Sequence, residues 1–175
     1  MTMPYAEVIG DPIAQSKSPA IHRFWLEKLG IEADYRATRV SEAEVADYLT
    51  ERKADPDWRG CNVTMPLKQT VQPHLESVKE PAASIGAVNT IYPDNDRLLA
   101  GTNTDAAGFL EPLTKELQSP HLFRMARILG AGGAARAIAH ALARENFTLV
   151  IAARRVEQAE DLIAGLPQTT QHHAV

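Results

Sequence analysis

The stretch ARILGAGGAARAIAHALARENFTLVIAARR, residues 126–155, decides the fold of the C-terminal part of this chain. A short apolar run leads into a glycine turn, and the turn leads into a segment with the apolar spacing of a long helix. A second apolar run then ends at two arginines. Strand, glycine turn, helix and strand in this order predict the opening of a βαβ unit, and hence an α/β fold.

The glycine turn has the spacing of a nucleotide-binding fingerprint. Gly130, Gly132 and Ala135 match G-x-G-x-x-G/A between a predicted strand and a predicted helix. The glycines of this fingerprint allow a tight turn and a close approach of the backbone to a pyrophosphate, which then sits on the helix N-terminus. The alternative is a glycine turn that serves packing only.

The end of the second predicted strand indicates which dinucleotide would bind. An NAD-binding domain places Asp or Glu there to hold the ribose 2'-hydroxyl. This chain instead has Ala153, Arg154 and Arg155. A basic pair without a carboxylate suits a 2'-phosphate, which favours NADP as the cofactor. The alternative is a pair of solvated arginines at a strand end.

The residues before this unit also alternate between strand and helix patterns, which favours an α/β arrangement. Strands are predicted at residues 5–9, 33–40, 60–64, 87–92 and 97–102. Helices are predicted at residues 19–29, 42–52, 65–75, 81–85 and 105–117, with Ser41 and Glu44 at capping-box spacing. Ser119–Pro120 breaks the last helix, so we expect one domain at residues 1–119 and a second at residues 120–175.

Composition narrows the class of partner. The chain has 175 residues, 45% of them hydrophobic, and a formal net charge of -4. The charges are interspersed and no apolar run has spanning length, so we expect small-molecule partners, no nucleic acid and no membrane. No secretory signal opens the sequence, which predicts a cytoplasmic protein. The single cysteine, Cys61, is expected to be a buried small hydrophobe, and no metal site is predicted.

Two serines in the N-terminal half could bind a carboxylate. Ser18 precedes Pro19, which is a strong helix start with serine as the N-cap and proline at the first helical position. Ser16 can bring a second hydroxyl to the same place. Two hydroxyls at a helix N-terminus suit an anionic group, and the alternative is plain capping.

Three further polar residues are ambiguous when taken singly. Lys68 falls in the first turn of the predicted helix 65–75, where the helix dipole disfavours a cation. Asn89 lies among apolar strand neighbours and could bond only to backbone. Asp105 could be no more than the N-cap of the helix that follows it. The three together, beside a nucleotide-binding unit, are harder to explain as structural residues.

Five motifs carry a resemblance to a known family. The order and spacing of DPIAQSKSPAIH, NVTMPLK, IGAVNTI, GTNTDAAGF and LGAGGAARA are similar to those of the shikimate dehydrogenase family. The resemblance implies an N-terminal substrate domain with an α/β sandwich, followed by a Rossmann-type NADP-binding domain that is incomplete in this chain. It also implies the NADP-dependent reduction of 3-dehydroshikimate to shikimate, a step towards aromatic amino acids.

The resemblance assigns a role to each candidate residue. Ser16 and Ser18 would bind the substrate carboxylate. Thr64, Asn89 and Asp105 would hold the ring hydroxyls, and Lys68 with Asp105 would form the catalytic pair. The cofactor would be held by Gly130, Ala131, Gly132, Gly133, Ala134, Arg154 and Arg155. As hydride reaches the carbonyl carbon, negative charge grows on the oxygen, and the Lys68 ammonium can stabilise it and supply a proton.

The sequence departs from the family in two places. Family members usually carry asparagine before the cofactor arginine and threonine after it, whereas this chain has Ala153 and Arg155 beside Arg154. Only about 50 residues follow Arg127, enough for one βαβ unit and a tail, so we expect a C-terminally truncated cofactor domain. The open alternatives are a quinate/shikimate dehydrogenase and a non-catalytic shikimate-binding fragment. A monomer or a homodimer is expected.

Overall fold

The computed structural model describes residues 3–118, 123–167 and 170–175, which form two compact units. The first unit comprises Met1–Glu80 and Val88–Thr102, and the second comprises Pro81–Ala87 and Asn103–Val175. Residues 81–87 and 103–118 therefore pack with C-terminal residues. The predicted break at Ser119–Pro120 lies outside the described residues, and the division at residue 119 stays a prediction.

The first unit is built on one mixed sheet. Its strands are β1 (Tyr5–Gly10), β2 (Asp34–Arg39), β3 (Trp58–Val63), β4 (Ser77–Val78), β5 (Thr90–Pro93) and β6 (Leu99–Thr102), in the order β2-β1-β3-β5-β6-β4. β1 pairs in parallel with β2 and β3, whereas β5 runs antiparallel to β3 and β6. The predicted strands 87–92 and 97–102 thus pair with each other as an antiparallel hairpin.

Two helices accompany this sheet, α1 (Ser18–Leu29) and α2 (Val45–Ala54). α1 ends where predicted, because Gly30 takes the left-handed conformation (φ 63°) that glycine adopts at little cost. The predicted capping box is present between Ser41 and Glu44, although the opening turn is 3-10 and α2 begins at Val45. Cys61 is buried as predicted, and burial raises the pKa of its thiol.

A buried carboxylate ties three elements of the first unit together. Glu7 on β1 is 1% exposed and accepts hydrogen bonds from the Tyr48 hydroxyl (2.8 Å), from Arg52 Nε (2.6 Å) and from Thr38. A buried charge must be paired and hydrogen-bonded to be tolerated. The sheet and α2 are therefore joined by one ionic cluster.

The predicted helix at residues 65–75 is wrong. The segment forms successive turns and a short 3-10 helix at Gln72–His74. The Lys68 carbonyl accepts the N–H of Val88 (2.7 Å), which lies 20 positions later in the segment before β5, and Pro73 has no N–H to offer. Lys68 does not lie in the first turn of an α-helix, so the helix-dipole argument does not apply to it.

The second unit contains a parallel sheet with its helices. Its elements are α3 (Ala82–Ile85), α4 (Asp105–Leu110), α5 (Thr114–Gln118), β7 (Met125–Leu129), α6 (Gly133–Arg144), β8 (Thr148–Ala152), α7 (Val156–Ala164) and β9 (His173–Ala174). The strand order is β7-β8-β9, with every pair parallel. This order is that of one half of a doubly wound nucleotide-binding fold.

The second unit differs from expectation in two ways. The predicted helix 105–117 is interrupted by a 3-10 turn at Glu111–Leu113, where Pro112 removes a backbone donor. The predicted tail contains α7 and β9, so β8 is a central strand and β7 lies at the edge of the sheet. Among the described residues, no helix combines the length and the apolar character that crossing a membrane requires.

Candidate active site

The site in the first unit is organised by the carboxyl ends of β1 and β3. Thr64 follows β3, and its N–H donates to the Ile9 carbonyl at 2.9 Å. A Cβ at Gly10 would lie 2.6 Å from Thr64 Cγ2 and 2.7 Å from the Met65 carbonyl oxygen. Only glycine therefore allows the end of β1 to approach the threonine this closely.

The serine pair shares a cavity with Thr64. The cavity measures about 160 Å³, and Ser16, Ser18, Thr64 and Gln15 contribute polar groups to its lining. Ser16 Oγ accepts the N–H of Ser18 at 3.3 Å. The prediction of Ser18 as N-cap is wrong by one residue, since Lys17 holds that position and Ser18 is the first residue of α1. The structure brings three of the predicted substrate-binding residues together.

Lys68 and Asn89 are joined to the same end of the sheet by their backbones. The Val63 N–H donates to the Asn89 carbonyl at 2.7 Å, and the Asn89 N–H donates to the Thr102 carbonyl at 3.0 Å. The Lys68 carbonyl accepts the N–H of Val88, the residue that directly precedes Asn89. The long-range pairing of residues 63, 68 and 88–89 therefore replaces the helix that the sequence predicted.

The side chain of Asn89 does more than bond to backbone. It is 7% exposed, and its Oδ1 accepts a hydrogen bond from the Thr90 hydroxyl at 2.8 Å. β5 begins at Thr90, so Asn89 lies just before the strand rather than in its middle. The interpretation in which Asn89 bonds only to backbone is wrong.

Asp105 is held in the second unit by a residue that the sequence reasoning missed. Asp105 is the first residue of α4, and its N–H donates to Asn103 Oδ1 at 2.9 Å. Asn103 Nδ2 donates to the Ala87 carbonyl at 2.9 Å, and Asn103 is 2% exposed. An Asn two residues before a helix start was the available signal. Asp105 is not the N-cap, which is Thr104.

The glycine turn has the conformation and the space that a pyrophosphate requires. Gly130 has a φ of 109°, and its N–H donates to the Ala152 carbonyl at 2.7 Å. Nothing lies within 4 Å of a Cβ placed at Gly130 or at Gly132. Gly132 is the N-cap of α6, so no side chain caps this helix. These features fit a phosphate group on the N-terminus of α6.

The two arginines follow the carboxyl end of β8, and the glycine turn follows the carboxyl end of the neighbouring strand β7. Leu129 at the end of β7 pairs with Ala152 at the end of β8, and Arg154 follows two residues later. Arg154 and Arg155 are both exposed, and Arg155 is the N-cap of α7. The glycine turn and the basic pair are therefore neighbours within the second unit.

Comparison with known proteins decides the family. Residues 8–91 match the family described as the shikimate dehydrogenase substrate binding domain. A shikimate dehydrogenase (NADP(+)) of Sphingopyxis alaskensis is 54% identical over 142 residues, which are 81% of this chain and 50% of that relative. The chain belongs to the shikimate dehydrogenase family. It spans about half the length of the curated shikimate dehydrogenases that it matches.

Two solved structures that are similar to this chain belong to differently named enzymes. The chain matches shikimate 5-dehydrogenase from Thermus thermophilus in complex with NADP(H) and shikimate with a TM-score of 0.81 and 37% identity, covering 97% of this chain and 62% of that one. It matches the ligand-free form of 5-ketofructose reductase of a Gluconobacter strain with a TM-score of 0.81 and 33% identity, covering 99% and 62%. A fold shared with the shikimate dehydrogenases therefore does not by itself identify the substrate.

The matched segment separates the candidate residues into two groups. Five of the predicted substrate-binding residues lie within the shikimate dehydrogenase substrate binding domain: Ser16, Ser18, Thr64, Lys68 and Asn89. Asp105, the glycine turn and the arginine pair lie after residue 91. The first unit thus carries most of the predicted substrate contacts, and the second carries the predicted cofactor contacts.

Proposed function

We propose that this chain belongs to an NADP-dependent oxidoreductase that reduces 3-dehydroshikimate to shikimate. The observation that carries the proposal is the cavity shared by Ser16, Ser18 and Thr64, with Lys68 and Asn89 tied to the same end of the sheet. The similar Thermus thermophilus enzyme is described in complex with NADP(H) and shikimate, which supports this substrate and this cofactor.

The serine hydroxyls suit the carboxylate of the substrate. Both can donate hydrogen bonds, and an ionised acceptor makes such bonds stronger than neutral ones. Thr64 and Asn89 would hold ring hydroxyls, because a hydroxyl and an amide can each donate and accept. Asp105 would accept a hydrogen bond from a further hydroxyl, with its backbone fixed by Asn103.

Lys68 would act as the acid in the direction of reduction. Bound NADPH supplies the hydride to the carbonyl carbon. Negative charge then develops on the carbonyl oxygen, where an ammonium group stabilises it and donates a proton. Asp105 would orient the ammonium and the substrate. In the reverse direction the neutral amine would accept the proton of the same hydroxyl.

The second unit would hold the cofactor. The backbone of Gly130, Ala131, Gly132, Gly133 and Ala134 would receive the pyrophosphate at the N-terminus of α6. The guanidinium groups of Arg154 and Arg155 would bind the 2'-phosphate, which NAD lacks.

A substrate comparison tests the proposal. The purified protein is assayed for reduction of NADP with three alcohols, which are shikimate, quinate and the alcohol formed when 5-ketofructose is reduced. Shikimate binding is measured separately by calorimetry. Turnover preferring shikimate is the expected result, and equal turnover on quinate favours a quinate/shikimate dehydrogenase. Binding without turnover favours the non-catalytic alternative, and absence of shikimate binding overturns the proposal.

Three other predictions rest on the sequence. They are the cytoplasmic location, the monomeric or homodimeric state, and the division into domains at residue 119.

A further inference from the structure

A relay of side-chain hydrogen bonds crosses the sheet of the first unit and ends on Asn89. The Tyr35 hydroxyl on β2 donates to Asn62 Oδ1 on β3 at 2.6 Å. Asn62 Nδ2 donates to Thr90 Oγ1 on β5 at 3.3 Å, and Thr90 Oγ1 donates to Asn89 Oδ1 at 2.8 Å. Three of these side chains lie on β2, β3 and β5, and the fourth, Asn89, lies just before β5. The four therefore form one connected path.

The chemistry of the members gives the relay one direction. The Thr90 hydroxyl has a single proton, and because it accepts from Asn62 it can donate that proton to Asn89. Asn89 Oδ1 is then the acceptor, which assigns the two ends of the planar amide. The Nδ2 group lies on the opposite branch and is the donor end of this side chain.

The outer end of the relay is buried, whereas Asn62 and Thr90 are half-buried. Tyr35 is 4% exposed, and its ring stacks on the His22 ring with centroids 4.0 Å apart and planes 7° apart. Burial raises the pKa of Tyr35, so its hydroxyl keeps the proton that it donates. Because the Tyr35 hydroxyl is removed from water, leaving it without an acceptor would be costly, which favours its hydrogen bond to Asn62.

We propose that Tyr35, Asn62 and Thr90 are positioning residues that orient the Asn89 amide so that its NH₂ group donates to a substrate hydroxyl. The inference rests on the proposed function for the substrate, but the orientation of Asn89 is a property of the ligand-free protein. Thr90 acts directly on Asn89, Asn62 acts through Thr90, and Tyr35 acts through both. The effect of a substitution should therefore decrease with distance along the relay.

Thr90 provides the sharpest test because two variants separate the effect of its hydroxyl from that of its methyl group. Thr90→Val removes the donor, whereas Thr90→Ser keeps it. In the full protein, Thr90→Val should weaken shikimate binding about tenfold, raise the KM for shikimate by a similar factor, and leave the KM for NADP unchanged. Thr90→Ser should bind shikimate with an affinity within about twofold of the wild type. A role of Thr90 in packing alone would not produce this difference between the two variants.

Tyrosine variants supply a matched control. Tyr35→Phe removes the outer donor of the relay, and Tyr48→Phe removes an equally buried tyrosine hydroxyl whose acceptor is Glu7. Tyr35→Phe should weaken shikimate binding about threefold, whereas Tyr48→Phe should leave it unchanged. Equal losses of shikimate affinity in the two variants would indicate a general destabilisation of the first unit. That result would overturn the role of Tyr35 in the relay.

The side-chain amide resonances of Asn89 decide the relay without a ligand. They are assigned by their loss in Asn89→Ala and followed by ¹⁵N–¹H spectroscopy. Thr90→Val and Tyr35→Phe should shift them, and Thr90→Ser and Tyr48→Phe should not. Unshifted resonances in Thr90→Val overturn the relay even if shikimate binds. A wild-type protein that does not bind shikimate overturns the proposed function, while these resonances still test the relay.

Discussion

The side chain of Asn103 accepts the backbone N–H of Asp105 at 2.9 Å and donates to the Ala87 carbonyl at 2.9 Å. One buried amide thus fixes the start of α4 and joins it to the residue that follows α3 and Gly86. The carboxylate of Asp105 is not used as the N-cap of its own helix. The orientation of Asp105 depends on a residue to which the proposed chemistry assigns no contact with substrate.

Asn103→Ala should therefore destabilise the protein. The variant loses the hydrogen bond at the start of α4 and leaves a carbonyl without its partner, at a cost of about 2 kcal/mol in the free energy of unfolding. Urea denaturation measures the change. Asn95→Ala, at an exposed turn position, is the control and should change stability by less than about 0.5 kcal/mol. Equal stabilities would show that Asn103 does not fix this helix start.

Lys68→Ala should remove the proposed acid. We expect kcat for shikimate oxidation to fall about a hundredfold to ten-thousandfold, with a small change in the KM for shikimate, because the ammonium acts on charge that develops during the reaction. Steady-state kinetics measure both constants. Lys115→Ala, an exposed lysine on α5, is the control. A kcat near that of the wild type would exclude Lys68 from the mechanism.

Arg154→Ala should reduce the preference for NADP over NAD. The variant loses a charged partner of the 2'-phosphate, so the KM for NADP should rise about tenfold or more while that for NAD changes little. Arg144→Ala, at the opposite end of α6 from the glycine turn, is the control. Equal effects on the two cofactors would contradict a phosphate-binding role.

Glu7→Gln should test the buried ion pair. The substitution keeps the shape of the side chain but leaves the Arg52 guanidinium without its buried carboxylate, at a cost of about 3 kcal/mol. Glu51→Gln removes an exposed acidic neighbour of Arg52 that is 3.8 Å away, and should cost less than about 0.5 kcal/mol. Similar unfolding free energies for the two variants would show that burial does not strengthen the pair.

The capping box should make stability depend on acid pH. The hydroxyl and the backbone N–H of Ser41 both donate to Glu44, at 2.5 and 2.8 Å, and these bonds lower the pKa of the carboxyl group. Its contribution to stability is therefore present above the pKa of the unfolded chain and is lost as the pH falls through the lower pKa of the folded state.

Glu44→Gln should remove this part of the pH dependence. Melting temperatures measured from neutral pH down to about pH 3 give the difference between variant and wild type, which should shrink as the pH falls. Glu32→Gln, at an exposed carboxylate outside the capping box, is the control. A constant difference across the range would contradict a role for the ionised carboxylate.

Local patterns predicted most of the elements. Gly30 ends α1, Ser41 and Glu44 form their capping box, and the glycine turn lies between β7 and α6 as expected. Each of these features depends on residues within four positions of one another. The α/β class and the parallel pair of β7 and β8 follow from the same short-range periodicity.

The features that the sequence could not predict depend on distant partners. The predicted helix 65–75 does not form because the Lys68 carbonyl bonds to Val88 instead of within a helix. The sequence of residues 65–75 carries no information about this distant partner. Asn103 had a local signal for its bond to Asp105, but neither its bond to Ala87 nor the bond of Thr90 to Asn62 could be read from neighbouring residues. These last two hydrogen bonds join residues 16 and 28 positions apart.

The sequence by itself determined the family, the candidate residues and most of the secondary structure, because motifs, caps and hydrophobic periodicity are local. Only the tertiary structure decided how those residues are held. It placed the serine pair in one cavity with Thr64, bonded the Lys68 carbonyl to Val88 instead of within a helix, and connected Asn89 to Tyr35 through two other side chains. The physical reason is that buried polar groups must find partners, and the fold rather than the local sequence determines which partners lie within hydrogen-bonding distance.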